Sequence, residues 1–245
     1  MDAIVNVRLS STRLPGKVLM SLGKGTVLDT IYQRIKLSKN INRIIFNTSN
    51  NKNDDRIVEH CKKNNYLFNR GNEEDTLSRT LDACKNYSID SFVEIFGDCP
   101  LIDFRVINRA VDIFKNKDFD FVGNDLKTTY PPGFEVEVVK TKALINSNKN
   151  CKDISIREHG TLFIRLNKEK YKVYNFEYDK IINKMPHLTL DTKEDYDLIN
   201  KVYNLCVNEF GFSFSLEDII LILNNNNKLF DINDKVPRKW EKYRE

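Results

Sequence analysis

Apolar residues fall in short blocks along the first half of the chain, and each block is followed by a stretch with helical spacing. Ala3-Ile-Val-Asn-Val7 reads as a buried opening strand. Val27–Ile35 then repeats apolar positions at the helical interval, and Arg43–Ser49 is a second strand that ends in polar residues. A helix over 54–63 puts Ile57, Val58 and Cys61 on one face; Tyr66–Phe68 is a brief strand, and 75–87 another helix. Ser91–Phe96 is a central strand, followed by Gly97-Asp-Cys-Pro-Leu101 and a helix over 104–115. Strands alternating with helices predict βαβ units, and so an α/β fold with a mainly parallel sheet covered on both faces. Ligands of such sheets collect at the carboxyl ends of the strands. That rule gathers the segment after Val7, the Asn47-Thr48-Ser49 end, Arg70-Gly71 and Gly97-Asp98 around one crevice.

The second half is less regular. Phe119–Val122 and Glu135–Val139 read as strands flanking Tyr130-Pro-Pro-Gly133, 156–166 as a helix, and 171–178 as a strand with aromatic alternation. Leu188–Leu190 is a short strand ending at Asp191, before helices over 194–207 and 216–223, a polar break at 224–227 and a basic tail, Lys235–Arg244. Without an internal repeat or a long linker, the expectation is one domain over 1–245 with a projecting subregion around 125–185.

Composition narrows the classes. A chain of 245 residues suffices for one large α/β core. The net charge of +4, with cations and acids intermixed, argues against a nucleic-acid partner, and the tail with Trp240 and Tyr243 is too short to change that. Five scattered cysteines without a C-x-x-C pair fit free thiols in a reducing cytoplasm. No apolar run is long enough for a bilayer, so neither a membrane partner nor a membrane location is expected.

The candidate chemistry starts at Arg8-Leu-Ser-Ser-Thr-Arg-Leu-Pro-Gly-Lys17, where Arg8, Arg13 and Lys17 stand among small hydroxyl residues and Pro15-Gly16 forces a turn. Backbone N–H groups and hydroxyls of such a loop can meet phosphate oxygens while the cations neutralise them. A solvated basic loop is the plainer alternative. Asp98, at the end of a hydrophobic strand, could hold Mg, a hard cation that usually bridges substrate phosphates, or could simply cap a turn. Asp191 stands at another strand end, where it or Thr192 could cap the following helix; Asp103 reads as a cap. Acids in the first turn of the 75–87 helix suit its dipole without any function. His60 and His187 read as structural.

R-x-x-S-T-R-L-P-G-K after a first strand resembles the signature of the bacterial cytidylyltransferases, most closely the spore-coat polysaccharide biosynthesis protein F family and, beyond it, the CMP-Kdo synthetases. The resemblance continues in G-D-C-P-L-I-D (97–103), R-G-N-E-E-D-T-L-S-R (70–79), Y-P-P-G-F-E-V-E (130–137), R-E-H-G-T (157–161) and L-D-T-K-E-D (190–195). Departures are Val7 for a common Ala, Ser10 for Gly, Pro132 for Arg and Lys193 for Pro. The resemblance implies a three-layer, Rossmann-like nucleotidyltransferase fold of the nucleotide-diphospho-sugar transferase type. It implies transfer of CMP from CTP to an acidic sugar or small phosphorylated acceptor, in surface polysaccharide or glycoconjugate biosynthesis. Arg8, Ser11, Thr12, Arg13 and Lys17 would hold the triphosphate, with Asn47, Thr48, Asp75, Ser78, Arg79 and Asp98 on the nucleotide wall. Asp98 and Asp191 would bind Mg; Arg8, Arg13, Lys17, Asp98 and Asp191 form the catalytic set; Tyr130, Glu135, Arg157 and His159 would face the acceptor. A homodimer formed through 125–185 is implied as well. The alternatives left by the residues are a glycosyltransferase using a nucleotide sugar and a non-catalytic nucleotide-binding protein.

Overall fold

The computed structural model describes residues 1–238. Its frame is a seven-stranded sheet with helices on both faces. The strands, in chain order, are β1 (Asp2–Asn6), a small hairpin of β2 (Ser21–Leu22) and β3 (Gly25–Thr26), β4 (Ile44–Ser49), β5 (Leu67–Gly71), β6 (Ser91–Phe96), β7 (Phe121–Gly123), β8 (Glu137–Lys140) and β9 (Val173–Asn175). The large sheet runs β5-β4-β1-β6-β8-β7-β9. Its first four strands are parallel, β8 is antiparallel to both β6 and β7, and β9 returns parallel to β7.

Alternation in the strands explains the two cores. Ala3, Val5 and Val7 enter one cluster with Phe46, Val93, Ile95 and Val138, while Ile4 joins Ile45, Phe92, Phe121 and Val139 on the opposite face. Helices α1 (Val27–Lys36), α2 (Asp55–Lys63), α3 (Thr76–Asn86) and α4 (Phe104–Asn116) cover the parallel half. The apolar stripe of α4, Val106, Ile107, Ala110, Val111 and Phe114, lies in the core. Asp103 caps α4 as its spacing predicted, accepting from the Arg105 N–H.

The second half departs from the periodic reading in several places. A helix α5 (Thr141–Asn150) follows β8 directly, where no element was expected. The helix expected over 156–166 is two pieces, α6 (Ile154–Arg157) and α7 (Leu162–Leu166), because Gly160 between them sits at φ +53. The aromatic strand shrinks to β9. Leu188–Leu190 is not a ladder strand; its backbone is held by separate bonds, Leu188 N–H to Pro132 O (2.9 Å) and Leu190 N–H to Asp98 O (2.7 Å). Helices α8 (Lys193–Phe210) and α9 (Leu216–Asn225) follow, and the expected polar break is instead the end of α9 and the start of a 3-10 run, Asn227–Ile232. The tail residues Trp240 and Tyr243 lie outside the described residues. Among the described residues no helix is long and apolar enough to cross a membrane.

The strand order changes direction at β1, which has β4 on one side and β6 on the other. A crevice opens at the carboxyl end of such a switch point. The basic loop leaves β1 there.

Candidate active site

The loop after β1 is held in shape from below. Gly16 N–H closes it onto Leu9 O (3.1 Å) in the turn that Pro15-Gly16 predicted, and Gly16 takes the left-handed φ of +75 there. The Leu9 N–H donates to Asp54 (2.7 Å), a carboxylate only 1 % exposed that also accepts from the Thr48 hydroxyl (3.0 Å) and the Ser49 N–H (3.2 Å). Sequence reasoning missed Asp54. Its signal was weak, because an acid ahead of a helix usually reads as a cap.

Lys17 leaves this loop on one turn of 3-10 helix and is nearly buried. Its ammonium donates to Leu190 O (2.6 Å), to Asp191 Oδ1 (3.0 Å) and to Asp98 Oδ2 (3.3 Å). Arg13 completes the group by pairing with Asp191 Oδ2 (3.0 Å). Two carboxylates that are 93 positions apart in sequence therefore flank a single ammonium. The Leu190 N–H to Asp98 O bond locks their backbones together. Burial works against the charge on Lys17, but Asp98 and Asp191 outweigh it and raise its pKa above the ordinary value. Gly97 is what allows β6 to close on β1: a Cβ there would come within 2.7 Å of Asn6 O and 2.6 Å of the Val7 side chain.

Arg8 reaches across the cleft to Glu158 (3.0 Å). Ser11 is half-buried and Thr12 exposed on the loop. Asn47 and Thr48, expected on the nucleotide wall, are fully buried: Asn47 bonds Asn6 (2.8 Å) and Thr80 (3.3 Å), and Thr48 bonds Asp54. Asp75 caps α3 through the Ser78 N–H (2.9 Å) and pairs with Arg157 (2.6 Å). Arg157 also donates to Cys151 O (2.9 Å) and Asn148 Oδ1 (2.7 Å), so its guanidinium staples α6 to α3. Arg79 is buried and donates to Asn72 O (2.6 Å) and Glu73 O (3.1 Å); burial pulls its pKa down to about 10.

On the other side of Asp98 stands Glu135. It accepts from the Gly133 N–H (2.8 Å) and from the Cys99 thiol (3.6 Å), which also contacts Asp98 Oδ1 (3.6 Å). Burial and these two acids push the Cys99 thiol far above its usual range, so it stays protonated. Tyr130 is buried on the α4 side, its hydroxyl accepting from Arg109 (3.0 Å). His159 is exposed beside Glu158, and desolvation, with Arg165 and Arg8 adding to it, lowers its pKa despite Glu158. The structure thus brings Arg13, Lys17, Asp98, Asp191 and Glu135 together. It leaves Arg157, Arg79, Asn47, Thr48 and Tyr130 as supports around them.

Among the described residues no group of three or more His, Cys, Asp or Glu side chains is placed to hold a metal by itself. Asp98 and Asp191 nonetheless fit a magnesium ion of the shared kind, which takes one or two carboxylates and completes its shell with substrate oxygens. Both are hard donors beside a cation that they already neutralise.

A family model for cytidylyltransferases matches residues 3–222. Among curated proteins, the spore coat polysaccharide biosynthesis protein SpsF of Bacillus subtilis is 30% identical over 231 residues, covering 91% of this chain and 93% of SpsF. A solved cytidylyltransferase from Leptospira borgpetersenii superposes with a TM-score of 0.88 at 30% identity, over 97% of this chain and 98% of that one. The CMP:2-keto-3-deoxy-manno-octonic acid synthetase solved with CTP shares the fold at a TM-score of 0.64 and 13% identity, over 85% and 99% of the two chains. The matched span runs from the first strand through the basic loop, both carboxylates and α8, and the chain belongs to the cytidylyltransferase family of nucleotidyltransferase enzymes.

Proposed function

We propose that this cytidylyltransferase transfers CMP from CTP to an acidic sugar or small phosphorylated acceptor in surface polysaccharide or glycoconjugate biosynthesis. The observation that carries the reading is the Lys17 ammonium between Asp98 and Asp191, with Arg13 on the second carboxylate. An acceptor oxygen attacks the α-phosphorus in line; the bond from that phosphorus to the bridging oxygen breaks, and pyrophosphate departs with the electron pair. Asp98 and Asp191 would hold a magnesium ion, which supplies charge neutralisation and polarises the reacting phosphate. Lys17, Arg13 and Arg8 turn from their carboxylate partners to the β- and γ-phosphate oxygens and stabilise the charge that builds on the leaving group. Ser11 and Thr12 offer hydroxyls to the same oxygens. Asp75, Ser78 and Arg79 shape the nucleotide wall through α3 and the turn before it.

Glu135 and His159 line the acceptor side, where Arg157 holds α6 in place. Residues 125–185 are the acceptor subregion and the contact of a homodimer within the single domain. An acceptor phosphate is already ionised, so no strong base has to be found near Asp98. Support for CTP comes from the family and from the CTP complex of the structurally similar synthetase.

The test is pyrophosphate release from four nucleoside triphosphates against a panel of acidic sugars and phosphorylated small molecules, with and without EDTA. CTP and a divalent metal should both be required. Lys17→Ala and Asp98→Asn should lose on the order of a hundredfold or more in rate. Turnover of all four nucleotides alike, or turnover in EDTA, would sink the reading.

A further inference from the structure

The family match ends at residue 222, yet the chain beyond it comes back to the acidic rim of the cleft. Phe230 anchors the 3-10 run in the core. Asn233, 3 % exposed, then donates to His187 O (2.9 Å) and to Asp195 Oδ1 (2.7 Å). Arg238 donates to the same Asp195 oxygen (2.9 Å) and to Asn233 O (3.0 Å). The Arg238–Asp195 pair is shut away from water, with side chains 4% and 0% exposed.

Asp195 is also the reciprocal acid of the capping box that starts α8. Its second oxygen, Oδ2, accepts from the Asp191 N–H (3.2 Å), the Thr192 N–H (2.9 Å) and the Thr192 hydroxyl (3.2 Å). A cap needs only that oxygen. The other one is given to the C-terminal segment, so one buried carboxylate joins Arg238 to the peptide that carries Asp191. The same segment touches the cleft a second time, where Arg13 donates to Pro237 O (3.5 Å) while holding Asp191 Oδ2 (3.0 Å).

We propose that Arg238 is a positioning residue for the nucleotide site. Acting through Asp195, it fixes the Asp191–Thr192 peptide, and with it the Asp191 carboxylate, in the arrangement that receives a metal-bound triphosphate. The inference rests on the reading of Asp191 and Arg13 given above. Its physical basis is twofold. A ligand carboxylate is only as well placed as the groups behind it, and loss of such a supporting partner typically weakens metal affinity about 10–100-fold. Removing one member of a buried pair also leaves the other as an uncompensated charge, here Asp195 beside the peptide it orients.

The experiment is calorimetric titration of the full-length protein with CTP in Mn2+, alongside Mn2+ alone, for wild type, Arg238→Met, Arg238→Lys and Asp191→Asn. Circular dichroism and melting curves accompany each variant. Arg238→Met should melt cooperatively and bind CTP in Mn2+ about 10–100-fold more weakly, and millimolar guanidinium should restore part of that affinity. A purely structural role would lower the melting temperature and leave the affinity of the folded protein alone. If Arg238→Met does not fold, Arg238→Lys decides: it keeps the buried charge but not the fork to Asn233 O, and should bind with intermediate affinity. Wild-type affinity in the Arg238 variant, with binding lost in Asp191→Asn, overturns the clamp and leaves the site standing. Wild-type affinity in Asp191→Asn as well overturns the site reading, and the clamp with it.

Discussion

Gly160 shows how much one residue can decide here. It takes φ +53 between α6 and α7, and a Cβ at that position would stand 3.0 Å from Glu94 Oε1. The left-handed conformation costs an ordinary residue about 1–2 kcal/mol, and a carboxylate packed inside the sheet has little room to retreat. Gly160→Ala should therefore lower the melting temperature by roughly 3–6 °C for a chain of this size. Differential scanning calorimetry reads this directly; an unchanged transition would mean that the strand beneath yields. His159 and Thr161 flank the glycine, so the substitution should also loosen the turn that carries them. Lys17 is decided by charge instead. Its raised pKa means that its stabilising pairs are complete below the unfolded value near 10.5 and are lost progressively as pH rises from there through the folded one.

Among the elements, α1 is tied to two distant segments by Arg34. Arg34, fully buried, donates to Ile102 O (2.8 Å), Phe212 O (3.0 Å) and Phe214 O (3.0 Å), and its guanidinium lies 3.9 Å from the centre of the Phe214 ring. Burial lowers its pKa to about 10, so it remains charged at neutral pH. It holds together the start of α4, just beyond Asp98, and the turn between α8 and α9. Arg34→Leu would orphan two buried carbonyls and a half-buried one, the buried ones at about 1–3 kcal/mol each, so the variant should lose about 3 kcal/mol or more, measured by urea unfolding. A loss below about 1 kcal/mol would show that water replaces the guanidinium. Periodicity found α1, α2 and α4, because an amphipathic stripe repeats within a few residues. It also placed the loop and Asp98 at strand ends; the pairing of Asp98 with Asp191 came only from the family resemblance, since the Leu188–Leu190 segment before Asp191 is no ladder strand. It could not find Asp54, Asp195 or Arg34 as organisers: their partners lie 45, 43 and up to 180 positions away, and no spacing rule links them. The split helix over 156–166 failed for the same reason, since what breaks it packs against β6 from the other half of the chain.

Across the whole molecule, a polar file runs through one face of the sheet. Asn86 donates to Asn69 (2.8 Å), Asn69 to Asn47 (3.0 Å), Asn47 to Asn6 (2.8 Å) and Asn6 to Glu94 (2.6 Å), so every amide points the same way and the file ends on a carboxyl group. Glu94 stands opposite Glu137 in the β6–β8 register, and Glu137 accepts from Thr161 and Arg165, with Asp125 paired to Arg165 close by. The file thus reaches from α3 to α7. Three acids share one buried arginine there, and Arg79 also acts on Glu94. Burial, with Asp125 adding to it, raises the Glu94 pKa to about 7 against the favourable contacts of Glu137, Arg165 and Arg79. Burial, Asp125 and Glu94 itself also push the Glu137 carboxyl well up, so the Glu94–Glu137 pair of the folded chain keeps a shared proton that the unfolded chain releases near 4.5. Between those values the native state binds more protons, so this group's contribution makes stability fall as pH rises and then level off above about 7. Glu94→Gln keeps an oxygen for Asn6 and mimics the protonated form. Its melting temperature should exceed that of wild type by more at pH 8 than at pH 5, whatever the other groups do to both proteins. An equal difference at the two pH values would mean that Glu94 is ionised throughout, and that the amide file ends on a charge rather than on a shared proton.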